Sequence, residues 1–213
     1  MIDYDHGLPE RMHSLPRDPH GRPVPWFVEW INGKPDFRIA DGRKLVQAVS
    51  SKLCWACGKP LGRYKAFLIG PMCAVNRNTA EPPCHHDCAI YCATHCDFLV
   101  NPKRGRRELN ETLAEQAVEP GGEMIKRNPG VSLVWVTREY KTILDEKKQL
   151  LFRLGNPTST YWFAEGRNAT RDEILYSIKT GLPILEEMAV AEGPEASIQL
   201  AKQVHEAFEL IPA

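Results

Sequence analysis

Hydrophobic and polar positions change their period several times along this chain, and each change marks an element. Residues 24–31, VPWFVEWI, form a dense apolar and aromatic run of strand length. Asn32-Gly33 follows as a hairpin turn, and PDFRIA at 35–40 returns as a second strand. Asp41 then caps a helix through GRKLVQAVSSKL, with Leu45, Val46 and Val49 expected on its buried face. Further on, VSLVWVT (131–137) is a continuous apolar strand, and KKQLLFRLGNPTSTYWFAEG reads as two strands about an Asn-Pro turn. The TRDE stretch from Thr170 to Glu173 is a capping box that opens a helix, which Gly181 and Pro183 are expected to break. Pro194 starts a last helix, and Ile198, Ala201, Val204, Phe208 and Ile211 recur at helical steps as its expected buried face. No internal repeat is present.

The remaining segments lack a period. Residues 1–23 are rich in Pro, Asp, Arg and His and read as an extended N-terminal arm on the surface or on a partner. Residues 108–130 are polar, with PGG and NPG breaks, and predict little regular structure. The expected organisation is therefore the arm at 1–23, a hairpin, helix and cysteine-rich module at 24–107, and an α+β region at 108–213. The predicted fold class is α+β: a metal-bound module between an N-terminal hairpin and helix and a small C-terminal antiparallel sheet with helices.

Charge changes this picture. The chain of 213 residues is neutral overall, with 27 basic and 27 acidic residues. Yet residues 31–107 carry a net charge of +8, against −2 before them and −6 after. A basic island in an acidic chain suits an anionic partner, or else the two ends complement each other within one fold. No apolar run approaches the ~18 residues of a membrane span. The start, MIDYDHGLPE, lacks the basic and apolar regions of a secretory signal. The expected home is a reducing cytoplasm, where cysteines are thiols or metal ligands rather than disulfides.

Cysteine usage supports the metal reading. Five of the seven cysteines lie between 73 and 96, and Cys54 and Cys57 come just before them. CWACG (54–58) has the form of a zinc knuckle, in which two thiolates grip one ion and the following Gly permits the tight turn. The other half of a tetrahedral site must come from PPCHHDCAIYCATHC (82–96). His85 and Cys88 fit the first turn of a helix started by Pro82-Pro83, with a hairpin about Gly70-Pro71 expected between knuckle and helix. The expected ligands of a structural Zn2+ are Cys54, Cys57, His85 and Cys88, with Cys84 the rival to His85. Cys73, Cys92 and Cys96 read as buried thiols. The alternatives are a second metal shared by those three with His95, or an iron–sulfur cluster.

The order of CWACG and PPCHHDC resembles the treble-clef scaffold of HNH endonucleases. That resemblance implies a knuckle, a hairpin and a ligand-bearing helix. It also implies a catalytic His on the hairpin, and no His lies between Cys57 and His85; Asn76 and Asn78 have no base to orient. VPWFVEWINGKPDFR, CWACGKPLGRYKAFLIGPMCAVNR and NPGVSLVWVTREY are similar to an uncharacterised family of phage and prophage proteins. The resemblance implies a phage-encoded accessory protein acting in a bacterial host cell.

Two functions from different classes follow. One is nucleic-acid binding through a basic zinc-finger surface made of Lys59, Arg63, Lys65, Arg77, Lys103, Arg104, Arg106 and Arg107. Trp55 and Tyr64 would stack on bases if exposed, although core placement is the plainer expectation for both. The other is docking on a host or phage protein through the acidic C-terminal helices or the Pro-rich arm. An enzyme built around Tyr161, Glu165, Arg167 and Asp172 is a weaker idea, since such residues between strand and helix serve turns and caps.

Overall fold

Burial of one strand on both faces explains the architecture. In the computed structural model, which describes residues 3–103, 121–122 and 128–212, the run SLVWVT forms β5 (Ser132–Thr137), and every one of its residues is buried. A strand that is apolar at odd and even positions alike must be covered on both sides. Leu133 and Trp135 enter one hydrophobic cluster, Val134 and Val136 another. β5 lies between β3 (Lys65–Ile69) and β8 (Pro157–Ala164), with β9 (Arg167–Asn168) at the edge, in an antiparallel sheet of order β3-β5-β8-β9. The neighbours alternate likewise: Phe67, Ile69, Trp162 and Ala164 join the first cluster, Ala66 and Phe163 the second.

The first cluster is closed by α2 (Pro71–Asn76), α4 (Arg171–Glu192) and α5 (Pro194–Phe208). A second antiparallel sheet adds Phe152 and Leu154; it is made of β4 (Asn78–Thr79), β7 (Leu150–Leu154) and β6 (Tyr140–Leu144), in that order. The second cluster holds the 54–57 segment, α3 (His86–His95) and Met12 from a short 3-10 turn at Glu10–Met12. Strands β1 (Val28–Ile31) and β2 (Lys34–Ala40) form a separate two-stranded sheet, and α1 (Gly42–Ser51) leads from it to the cysteines. The fold is thus mixed α+β, with several small antiparallel sheets and, among the described residues, five α-helices. The main sheet takes β3 from one side of residue 107 and β5, β8 and β9 from the other.

Several expectations need correction. The N-terminal segment is not an extended arm. Met12 is buried among the cysteines, and Tyr91 Oη donates to the Tyr4 carbonyl at 2.6 Å. Arg22 forms ion pairs with Asp18 and Asp97. No hairpin turns at Gly70-Pro71: Pro71 opens α2, because its fixed φ suits a first helical position and Met72, Ala74 and Val75 find the core. The partner of β3 is instead the distant β5. On α1, Leu45 and Val49 pack as expected, but Val46 is 69% exposed and Ala48 is the buried residue. Gly181 and Pro183 do not end a helix. α4 runs through both, since Ile178, Leu185 and Ala189 on either side are buried in one core, which outweighs the one hydrogen bond Pro183 cannot make. On α5, Leu200, Ala207 and Ile211 of the C-terminal stretch are buried, whereas Ile198 and Ala201 face solvent. The two strands expected about the Asn-Pro turn form, as β7 and β8, but they enter different sheets.

Candidate metal centre

Local chain geometry builds the first half of the site. Asp41 caps α1 by accepting from the Arg43 N–H, and Lys52, in the left-handed region at φ 53°, ends it. The chain then tightens: Cys54 N–H donates to the Lys59 carbonyl and Gly58 N–H to the Cys54 carbonyl, both at 2.8 Å. Gly58 has φ +71°, and a Cβ there would lie 2.7 Å from the Trp26 ring. Only glycine meets both conditions without strain. Trp26 N–H in turn donates to Ala56 O at 2.7 Å, and Trp55 stacks on Phe27 with centroids 4.9 Å apart. The N-terminal segment therefore packs against the knuckle.

The second half comes from the start of α3. Cys84 pairs with Ala66 of β3 through two backbone hydrogen bonds of 2.9 and 2.7 Å, which sets the helix against the sheet. His85 is the N-cap and Cys88 lies in the first turn. Cys54, Cys57, His85 and Cys88 are all buried, and their ligand atoms lie within 4.8 Å of one another. His85 Nδ1 is 3.4 Å from Cys57 Sγ and 3.9 Å from Cys88 Sγ. A tetrahedral ion with zinc-like bond lengths of about 2.3 Å to sulfur and about 2.0–2.1 Å to nitrogen sets N···S separations of about 3.6 Å. The two observed distances bracket that value, so the residues fit such an ion. His85 Nε2 lies 2.9 Å from the Pro60 carbonyl, which accepts its N–H and leaves Nδ1 free as a donor to a metal. The backbone N–H of His85 donates to Cys54 Sγ at 3.3 Å.

Electrostatics point the same way. The thiols of Cys57, Cys84 and Cys88 hydrogen-bond to Cys54 and hold it well below the ordinary thiol range. Hydrogen bonds to Cys54 and Cys57, with burial, push Cys88 up. His85 is pushed up to about 10, first by Cys54 and then by Cys57. Lowering Cys54 while raising Cys88 reflects the cost of gathering more than one thiolate in so small a buried volume. A divalent cation held by these four side chains would offset that cost.

The four residues selected by spacing are the four brought together. Cys84 is buried beside Cys54, but it is not one of the quartet. Cys73, Cys92 and Cys96 do not gather into a second group with His95 among the described residues. Burial holds the Cys73 thiol up at about 11 and raises Cys92. Cys96, expected on a buried face, caps α3 in an exposed position. His95 stacks on Tyr91 at 4.2 Å, and His86 lies 5.0 Å from Tyr161. Arg167 pairs with Glu173 at 2.7 Å beside the capping box and with Glu165 at 3.6 Å, so its charge is engaged at the turn that starts α4.

The basic residues divide. Lys59 and Arg63 are exposed and Lys65 half-buried on the stretch between the knuckle and β3. Arg77 has to be removed from that surface: it pairs with Glu206 at 3.0 Å, donates to Asn156 at 3.0 Å and lies 5.7 Å from the Trp135 ring. Lys103 is exposed, while Arg104, Arg106 and Arg107 lie outside the described residues. Trp55 is core, and Tyr64 is exposed with the guanidinium groups of Arg63 and Arg138 beside its ring. The chain order hides the part Arg138 takes, because strand pairing alone brings it here. Among the described residues, no helix is long and apolar enough to cross a membrane. Comparison with family models, curated proteins and solved structures gives no match, so the geometry of the cluster and its basic border carry the functional argument.

Proposed function

We propose that this protein binds nucleic acid through a basic loop that a structural Zn2+ holds in place. Cys54, Cys57, His85 and Cys88 are the ligands. Three thiolates and one imidazole are a donor set suited to zinc, and four protein donors leave no open position for substrate. The bound ion supplies folding energy of roughly 10–16 kcal/mol in apparent terms. The pairing of Ala66 with Cys84 supports a treble-clef-like order, with α2 and β4 inserted where the turn of the hairpin would be.

One observation carries the reading. Lys59, Arg63 and Lys65 border the knuckle without a carboxylate ion-pair partner among the described residues, while the Pro60 carbonyl between them receives the His85 Nε2–H. Cations left unpaired on a rigid loop are suited to phosphates, since no internal ion pair competes for them. Docking on a protein has less support: Tyr176, Val190 and Ile198 are exposed on α4 and α5, but isolated apolar residues of this kind are ordinary.

Gel-shift titration of the zinc-loaded protein on DNA and RNA at two salt concentrations tests the proposal. Binding should weaken with salt. Replacing Lys59, Arg63 and Lys65 together by Ala should flatten the slope of log K against log [salt] by about 0.7–0.9 per lost phosphate contact. Failure to bind any nucleic acid at low salt overturns it.

A further inference from the structure

We infer that the nucleic acid is single-stranded and that a base stacks on Tyr64, within a site completed by Arg63, Lys65 and Arg138. This rests on the nucleic-acid reading above. β3 and β5 pair in register from Lys65↔Thr137 to Ile69↔Leu133. One step further along, Tyr64 lies opposite Arg138. Arg138 Nη2 donates to Tyr64 Oη at 3.1 Å, and its guanidinium carbon is 5.3 Å from the ring centroid. The guanidinium carbon of Arg63 is 6.0 Å from the same centroid. Lys65 Nζ donates to the Arg63 carbonyl at 3.0 Å and to the Arg138 carbonyl at 3.5 Å, tying the two chain segments together. Tyr64 itself is 44% exposed.

The combination selects the ligand. Cations alone serve the backbone of a duplex as well as that of a single strand. An exposed aromatic ring adds something only where base faces are free, and in a duplex those faces are covered by neighbouring bases. Among the described residues no carboxylate pairs Arg63, Lys65 or Arg138, so three positive charges surround the ring without internal neutralisation. An acidic peptide would satisfy the charges but offers no planar partner for the ring. Because both strands belong to the central sheet, the site stands on a rigid base and loses little entropy on binding.

The test is fluorescence anisotropy of the zinc-loaded protein with a labelled oligothymidylate of about 16 nucleotides, a duplex of equal length, and polyglutamate as competitor. The single strand should bind more tightly than the duplex. Tyr64→Ala should weaken single-strand binding about tenfold with unchanged metal content, and Tyr64→Trp should preserve it. Arg138→Ala should lower the single-strand salt slope by about 0.7. Equal affinity for the duplex, an unchanged Tyr64→Ala variant, or equal displacement by polyglutamate overturns the inference and leaves the basic-loop reading standing. No binding of either nucleic acid overturns both.

Discussion

Seven His and Cys residues crowd positions 84–96, and of these His85 and Cys88 join Cys54 and Cys57 in the quartet, while Cys84 lies beside Cys54 outside it. Helical geometry makes the choice: the N-cap and a residue in the first turn share the end of α3 that faces Cys54 and Cys57, while Cys92 and Cys96 lie one and two turns further away. Metal analysis of the purified protein should therefore find one zinc per chain, retained in Cys84→Ala and lost or greatly weakened in Cys57→Ser and His85→Ala. Loss with Cys84→Ala and retention with His85→Ala would reassign the fourth ligand. Gly58 makes a second residue-scale case. Its φ is +71°, and the Trp26 ring stands 2.7 Å from the place a Cβ would take. Gly58→Ala should therefore destabilise the protein by about 2–3 kcal/mol in denaturant titration.

At the scale of elements, α4 carries a proline in its interior and a complete cap at its start. Pro183 is exposed, so Pro183→Ala restores a backbone donor without disturbing the core. It should raise stability by about 1–2 kcal/mol, the helix gain being partly offset by a freer unfolded chain. Thr170→Ala should cost about 1 kcal/mol. Glu173 closes that cap and pairs with Arg167, whose guanidinium draws its carboxyl down from 4.5 to about 2. A carboxylate with a depressed folded-state value stabilises the fold above its unfolded value and loses that effect as the pH falls toward the folded one. The stability difference between the protein and Glu173→Gln should accordingly be full at pH 7 and shrink below about pH 4.5, as read from urea midpoints. Capping box and last-helix proline are both plain in the sequence because they act over three or four residues. The continuity of α4 is not, because burial of Ile178 and Leu185 by other elements overrides the local break at Gly181 and Pro183.

Across the whole molecule, one sheet separates two clusters, and the candidate metal belongs to only one of them. Chelation of zinc should thus remove hydrogen-exchange protection from the 54–58 backbone and the first turn of α3 before it affects α4. Acidification should release the ion as well, since protons compete for three thiolates and an imidazole. The sequence alone determined the parts whose causes lie within a turn or two: the Asn-Gly hairpin, the caps at Asp41 and Thr170, and the tight CWACG turn; it singled out His85 and Cys88 as candidate ligands but left Cys84 as a rival, which the tertiary structure sets outside the quartet. Tertiary structure decided the rest. It chose β5 rather than a local hairpin as the partner of β3, folded residues 3–27 onto the cysteines, withdrew Arg77 to Glu206, and set Arg138 beside Tyr64. Backbone spacing fixes which near neighbours share a face, and it can be read from residue order. Which distant strand completes a sheet depends on how all apolar faces are covered at once, and that leaves no local trace.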